Sequence, residues 1–382
     1  MFKLSTPLMS IAWLSVAMLM GATATGVQAS DTAAQASAAG SPSGSPVVIA
    51  HRGASAYLPE HTLAAKVLAH AMGADYLEQD LVMTKDGELV VLHDLYLDRV
   101  SDVAQKFPGR ARDDGRFYVI DFTLDELHTL NISERRKHDG ASQTELAFPG
   151  RFGLNQSRFG VHTFSEELEL IRELNRLTGK EVGIYPEIKS PSFHHQNGQD
   201  IAAATLEVLK TYGYDTPQSK VYLQSFDANE LIRLDTELMP EMGVDIPLVQ
   251  LIARTRWQLT QEQAANGQWV NYDYDWMLEP GAMAQIAEYA DGVGPHIGML
   301  IKSNTTGGEQ TGVQANSQLV FNHLVSEAQA QGLAVHPYTV RADRLPRGVS
   351  SLNELHTLLF ETAGVDGIFT DFPDRALQYL RR

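Results

Sequence analysis

Short apolar runs, each closed by polar residues or glycine, recur along the chain at Val47 to Ala50, Tyr76 to Met83, Leu89 to Leu92, Val182 to Tyr185, Val221 to Leu223, Pro247 to Ile252, Gly292 to Gly294, Ala334 to Pro337 and Gly367 to Phe369. Between many of them, apolar residues fall at helical spacing. After His51, Leu63, Val67, Leu68, Ala71 and Met72 form one stripe that Gly73 terminates. Ser165 to Leu177 reads as a helix capped by Ser165 with Leu168, Ile171, Leu174 and Leu177 inward, and Ile201 to Tyr212 reads as another. Strands alternating with helices predict an α/β fold with a mainly parallel sheet. Eight core strands with crossover helices would close a TIM (β/α)8 barrel, although the pattern does not say which of the nine runs is surplus.

Two stretches break the rhythm. Leu95 to Thr163 carries Pro108, Gly109, Gly115, Gly140, Pro149, Gly150 and many charges, and is expected to be a folded but irregular insertion on the barrel mouth. Ser303 to Gln318, rich in Gly, Thr and Asn, reads as an exposed excursion. At the amino terminus, Lys3 precedes a largely apolar stretch from Leu8 to Met20 and small residues ending in Val27-Gln28-Ala29. That pattern predicts a signal peptide over 1–29, a flexible leader over 30–45 and a single large domain over 46–382. The apolar core is too short for a membrane anchor, so the mature protein is expected to be exported. There is no cysteine, hence no lipidated cysteine and no disulfide framework. A formal net charge of -17 argues against a general nucleic-acid or anionic-membrane surface. An anionic ligand would need local cations, meaning a metal and a few placed Arg or Lys.

The residues that interrupt the apolar runs carry the chemistry. Glu78 and Asp80 stand two apart in Tyr76 to Met83, so in a strand both face one way. Confined together, at least one holds a proton unless a cation compensates. A hard divalent metal, calcium or magnesium, suits such oxygen ligands, while a solvated edge strand is the plainer alternative. Other unusual residues collect at strand ends: His51-Arg52-Gly53, His93-Asp94, Glu187-Ile188-Lys189 and Gln224. In a parallel barrel those ends share one rim. Glu187 is then a candidate third metal ligand, Lys189 a candidate to neutralise an anion, Arg52 a fork able to hold two phosphate oxygens, and His51 and His93 candidates for proton transfer. Gln224, Phe226, Trp276 and Tyr338 are weaker candidates for the pocket wall.

Plainer readings stand beside these. Glu187 and Lys189 could be a surface pair with Pro186 at a strand terminus, and Arg52 a barrel-end salt bridge. Asp94 either orients His93 or only begins the next turn. Glu60, after Pro59 at an apparent helix start, suits the helix dipole at least as well as a ligand. His70 on a helix and His194-His195 in a loop have no evident part.

Taken in order, HRGASAYLPEHT at His51 to Thr62, EQD at Glu78 to Asp80, HD at His93, PEIK at Pro186, HPYTVR at His336 and GIFTDFP at Gly367 resemble the glycerophosphodiester phosphodiesterase family. The long form, with an insertion after the second histidine, is similar to exported, periplasmic bacterial enzymes, and the resemblance spans Pro46 to Arg382. His61 stands where many members have Asn; it marks a subgroup and is not expected to be catalytic. The resemblance implies a TIM barrel, one divalent metal (Ca2+, with Mg2+ as the alternative), and hydrolysis of glycerophosphodiesters to sn-glycerol 3-phosphate and an alcohol. It places metal on Glu78, Asp80 and Glu187, acid-base work on His51 and His93, and phosphate contact on Arg52 and Lys189. The mechanistic expectation is that one histidine deprotonates the glycerol 2-hydroxyl, which attacks phosphorus while the other protonates the departing alcohol. Water then opens a cyclic phosphate.

Expected partners are small-molecule glycerophosphodiesters, with no nucleic acid and no stable membrane anchor; the oligomeric state stays open, a homodimer among the alternatives. Three competing readings are an enzyme of intact phospholipids, a noncatalytic binding protein on the same barrel, and a transporter's solute-binding protein. The insertion lacks a run of exposed aromatic and aliphatic residues for docking on lipid, the candidate site shows no decay, and a closed barrel is not two hinged lobes. The head-group alcohol, the resident metal and which histidine is the base are left open.

Overall fold

The computed structural model describes residues 44–137, 145–303, 319–321 and 323–382. Its parallel strands are β1 (Val47–Ala50), β2 (Tyr76–Met83), β3 (Gly183–Ile188), β4 (Leu223–Ser225), β5 (Leu248–Ile252), β6 (Gly292–Pro295), β7 (Ala334–Val335) and β8 (Gly367–Thr370). Their spatial order is β7-β6-β5-β4-β3-β2-β1-β8. The two ends are joined through the chain following β7: Val340 N donates to Phe369 O at 2.8 Å and Phe369 N to Pro337 O at 3.0 Å. The predicted TIM barrel is therefore the fold.

Of the nine apolar runs, the surplus one is Leu89–Val91. It pairs antiparallel with β2, Leu81 opposite Val91 and Met83 opposite Leu89. A tight turn suffices for an antiparallel partner, whereas each parallel step needs a crossover. Pro186 lies inside β3, not at its end, and Gln79 opposite it accepts from Tyr185 N through its side-chain oxygen at 3.1 Å. His194 and His195 sit in a helix, Pro191–Gln196, where a loop was expected.

The helices follow the predicted spans, and the buried face differs from the predicted one in Leu63–Met72. Leu63–Met72 is capped by Thr62, and it buries Ala65, Lys66, Ala69 and His70 while Val67 stays 38% exposed. The predicted stripe is rotated because the buried Lys66 has partners below: its Nζ donates to Glu78 O at 2.5 Å and to Glu167 Oε1 at 2.6 Å. Phe164–Thr178 is capped by Thr163, not Ser165, in a capping box with Glu166. Leu168 and Ile171 are buried, but Leu177 is 64% exposed. Leu177 follows Leu168 by nine residues, which at about 100° per residue brings it to the opposite face. Ile201–Thr211 is capped by Asp200.

The segment between the antiparallel strand and Thr163 folds around its own apolar cluster. Leu97, Val100, Phe117, Val119, Phe122, Leu127 and Ile132 pack there against Val82, Val90 and Leu92. Among its described residues the regular structure is short, with helices at Val103–Lys106 and Leu124–His128; 138–144 lie outside the described residues. The expected signal peptide and the leader up to residue 43 lie outside the described residues, as do 304–318 of the expected excursion. Its flanks, Ile301–Ser303 and Leu319–Phe321, pair antiparallel. Among the described residues no helix is long and apolar enough to cross a membrane.

Glu167 and His356 are ionisable groups buried outside the barrel mouth. Glu167 accepts from Lys66, from Gln79 Nε2 at 2.8 Å and from His162 Nε2 at 2.7 Å; burial opposes its charge, but Lys66 and His162 hold its carboxyl down at about 2. Replacing Lys66 with Met strands that carboxylate, and urea denaturation should show a loss of roughly 3–5 kcal/mol. A loss below about 1 kcal/mol would contradict a buried ion pair. His356, 1% exposed with neither ring nitrogen hydrogen-bonded, packs on Phe360 and Tyr379, and burial pushes its pKa down to about 4. Between about pH 6.5 and 4 the unfolded chain binds this proton and the folded chain refuses it, so stability falls as pH falls through that window. His356→Leu should abolish about 2 kcal/mol of the destabilisation seen on going from pH 8 to pH 5. Parallel stability curves for wild type and variant would contradict it.

Candidate active site

Strand alternation builds the site. The inward row of β2 is Tyr76, Glu78 and Asp80; that of β3 is Tyr185 and Glu187, with Lys189 one step beyond; β4 supplies Gln224, between Tyr222 and Phe226. The lower members form an apolar floor in which Ile49, Tyr76, Tyr185, Val249 and Phe369 pack together, with Tyr222 against them. Tyr185 Oη and His336 Nδ1 are hydrogen-bonded there at 3.0 Å. The upper members face a cavity with about 560 Å³ of free space. His51, Arg52, Glu78, His93, Glu187, Lys189, Gln224, Phe226 and Tyr338 all line it, joined by His296, Thr339 and Arg341. Asp80 lies just behind, 3.4 Å from Lys189 Nζ and 3.5 Å from Arg52 Nε. Trp276 is not in the wall: it packs on the main core and donates from Nε1 to Tyr272 Oη at 3.1 Å.

A sharp turn after β1 sets the first strand end. Arg52 has φ 59° and Gly53 φ 83°, both left-handed. A Cβ on Gly53 would lie 2.7 Å from the Ala65 carbonyl carbon, so only glycine fits. This turn aims Arg52 N at Glu78 Oε2, 2.6 Å away. Glu60 does not open the following helix, which Thr62 caps; its carboxylate pairs instead with Arg52 Nη1 at 3.0 Å and with Arg135.

Each histidine is held through Nδ1 by an aspartate. His51 Nδ1 is 2.6 Å from Asp371 Oδ1, and His93 Nδ1 is 2.5 Å from Asp94 Oδ1. Asp94 therefore does orient His93. An ionised carboxylate there accepts a hydrogen bond from Nδ1–H, which leaves the lone pair of the neutral imidazole on Nε2. Burial pushes the His51 pKa down to about 3 and that of His93 to about 4, Arg52 adding to both, so neither carries charge at neutral pH in the free protein. Burial works against ionisation of Asp371, but Arg341, His51 and Arg151 hold its carboxyl well below the usual range. Asp371 escaped the sequence reading although it lies within GIFTDFP; the available signal was an acid directly following an apolar strand, as His51 and His93 follow theirs.

The carboxylates split as two confined acids must. Burial and repulsion from Asp80 push Glu78 well above the carboxylate range. Burial pushes Asp80 up too, but Lys189, His93 and the His61 hydrogen bond outweigh it and keep Asp80 well below. Burial raises Glu187 to about 8 even with Lys189 Nζ 2.7 Å from its Oε1. Donor atoms of His61, Glu78 and Asp80 lie within 4.8 Å of one another, His61 Nε2 being 2.6 Å from Asp80 Oδ2, and Gln224 Oε1 is buried without a hydrogen-bond partner. This oxygen-rich set, unable to ionise fully on its own, fits a hard divalent cation. The geometry puts His61, which was not expected to have a role, beside the expected Glu78 and Asp80; Glu187, the expected third ligand, is not in this cluster, and Lys189 stands between it and Asp80.

Comparison with known proteins bears on the family and the fold. The family model for the glycerophosphoryl diester phosphodiesterase family matches residues 51–375. A glycerophosphodiester phosphodiesterase of Haemophilus influenzae is 53% identical over 335 residues, covering 88% of this chain and 90% of that protein. Its counterpart in Treponema pallidum is 46% identical over 334 residues, covering 87% and 91%. A solved structure from Silicibacter pomeroyi DSS-3 superposes with TM-score 0.60 at 26% identity over 88% of this chain and 94% of that one. An Oleispira antarctica phosphodiesterase, solved in complex with the product sn-glycerol-3-phosphate, shares the fold with TM-score 0.55 at 20% identity over 88% and 98%.

Proposed function

The chain belongs to the glycerophosphoryl diester phosphodiesterase family and is a glycerophosphodiester phosphodiesterase; from that premise we propose that it hydrolyses deacylated phospholipids to sn-glycerol 3-phosphate and an alcohol with two histidines and one divalent metal. The observation that carries this reading is the pair of aspartate-held imidazoles, His51 and His93, facing one cavity with Arg52 and Lys189. Arg52 and Lys189 bind the phosphodiester anion, and Gln224 and Tyr338 shape the wall beside it. One neutral imidazole takes the proton of the glycerol 2-hydroxyl through Nε2 as that oxygen bonds to phosphorus. The bond from phosphorus to the alcohol breaks, and the other imidazole, whose protonated form the bound anion favours, returns a proton to the leaving oxygen. Water then attacks the cyclic phosphate with the proton transfers reversed. Glu78, Asp80 and Glu187 would hold the metal, calcium ahead of magnesium, which when bound supplies positive charge to the phosphoryl and glycerol oxygens.

The pattern over residues 1–29 directs export through a cleavable signal peptide, and the enzyme works in the periplasm.

Glycerophosphocholine hydrolysis, coupled to detection of glycerol 3-phosphate, is the direct test. Chelator, Glu78→Gln and His51→Ala should each lower turnover by about 100-fold or more; chelator-resistant activity or an unimpaired His51→Ala enzyme would overturn the assignment. A substrate analogue lacking the glycerol 2-hydroxyl should turn over at least about 100-fold more slowly than glycerophosphocholine. Equal rates would rule out the cyclic route.

A further inference from the structure

Two arginines of the 95–163 segment reach the carboxylates that hold the histidines. Arg135 Nη1 donates to Asp94 Oδ2 at 2.6 Å, while its Nε donates to Glu60 Oε2 at 2.8 Å. Arg151 Nη2 donates to Asp371 Oδ2 at 2.6 Å, its Nε to Asp343 Oδ2 at 2.8 Å and its Nη1 to Ser55 O at 3.3 Å. The two side chains are 7% and 5% exposed, and neither lines the cavity. The same chain of contacts is thus built twice: an imidazole Nδ1 on one aspartate oxygen and a buried guanidinium on the other.

We infer that this segment is a positioning device for the acid-base pair, Arg135 setting His93 through Asp94 and Arg151 setting His51 through Asp371. The inference rests on the proposed roles of the two histidines. A buried carboxylate bonded only to a neutral imidazole has one oxygen unsatisfied and is free to rotate or take up a proton. Either change releases the Nδ1 proton from its acceptor and with it the direction of Nε2. A planar guanidinium removes both options, because it charges the site and fixes the carboxylate plane while its other nitrogens grip a second anchor, Glu60 or Asp343.

The two arms are unequal. Asp371 Oδ2 also accepts from Arg341 Nε at 2.7 Å, whereas Arg135 is the one arginine paired with Asp94 among the described residues. Loss of Arg135 should therefore cost more than loss of Arg151. Arg135 also grips Glu60, the partner of Arg52, so its loss is expected to disturb substrate binding too. Arg151 gives the cleaner test.

Steady-state kinetics on glycerophosphocholine should show Arg151→Met lowering kcat about tenfold with KM changed less than about twofold, and Arg135→Met lowering kcat about 100-fold. Arg151→Lys, which keeps the charge, should recover part of the loss. Combined with Asp371→Asn, Arg151→Met should add no further loss; combined with Asp94→Asn, it should add its full tenfold. Wild-type kcat with a lowered melting temperature would reduce both arginines to docking contacts, and full additivity with Asp371→Asn would show that Arg151 does not act through that aspartate. Either result overturns the inference. If the methionine variants fail to fold, as circular dichroism would reveal, the lysine variants carry the same double-mutant comparison. An inactive His51→Ala enzyme beside an unimpaired Arg151→Met would count against this inference alone, whereas a fully active His51→Ala would instead remove the acid-base reading beneath it.

Discussion

Holding several carboxylates out of water at the mouth of one barrel is the constraint on which the rest of the structure depends. Glu78, Asp80, Glu187 and Asp371 are each at most 6% exposed, and an isolated buried carboxylate costs several kcal/mol even after relaxation. The barrel answers with cations drawn from widely separated parts of the chain. Arg52 and Lys189 come from strand ends, Arg341 from the chain after β7, and Arg135 and Arg151 from the segment between β2 and β3. For Glu78 this supply falls short, and burial with repulsion from Asp80 pushes its carboxyl well above the usual range. A rim with cations placed for its aspartates and too little charge for Glu78 and Glu187 fits a hard divalent cation.

Support for that rim comes from both sides of β2. Facing inward, Tyr76 and its aromatic neighbours fill the barrel below the acids and deny them water. Facing outward, Gln79 is tied to Glu167, and the ammonium of Lys66 joins Glu167 to the carbonyl of Glu78 itself. The strand is thus fixed from behind by a buried ion pair, so Glu78 is presented by backbone that cannot shift without breaking it. A lysine on the buried face of a helix, which propensity and hydropathy alone would place in solvent, becomes intelligible once that carbonyl is seen beneath it.

Much of the architecture was legible because it depends on local periodicity. Alternating apolar runs and helical stripes predicted the barrel, and the two-residue spacings at Glu78 and Asp80 and at Glu187 and Lys189 predicted their shared faces. The errors have local causes as well. Thr163 competes with Ser165 as a cap, and Thr163 alone has a glutamate three residues on, Glu166, with which it forms the capping box. The surplus strand at Leu89–Val91 is as apolar as a barrel strand, since it too is buried, and pairing direction leaves no mark on composition. Trp276 was placed in the pocket by residue type, yet its indole found Tyr272 instead.

By itself the sequence determined the class of fold, the face each strand residue takes and the set of chemically capable side chains at the strand ends, because all three follow from spacing along the chain. Tertiary structure alone decided which charges meet. Asp371 lies 320 positions from His51 and Arg151 lies 220 from Asp371, and no periodicity links residues so distant. Their pairing is set by barrel closure and by the contacts that bring Arg151 to Asp371, and with it come the hydrogen bond that orients His51 and the charge that keeps the Asp371 carboxyl low.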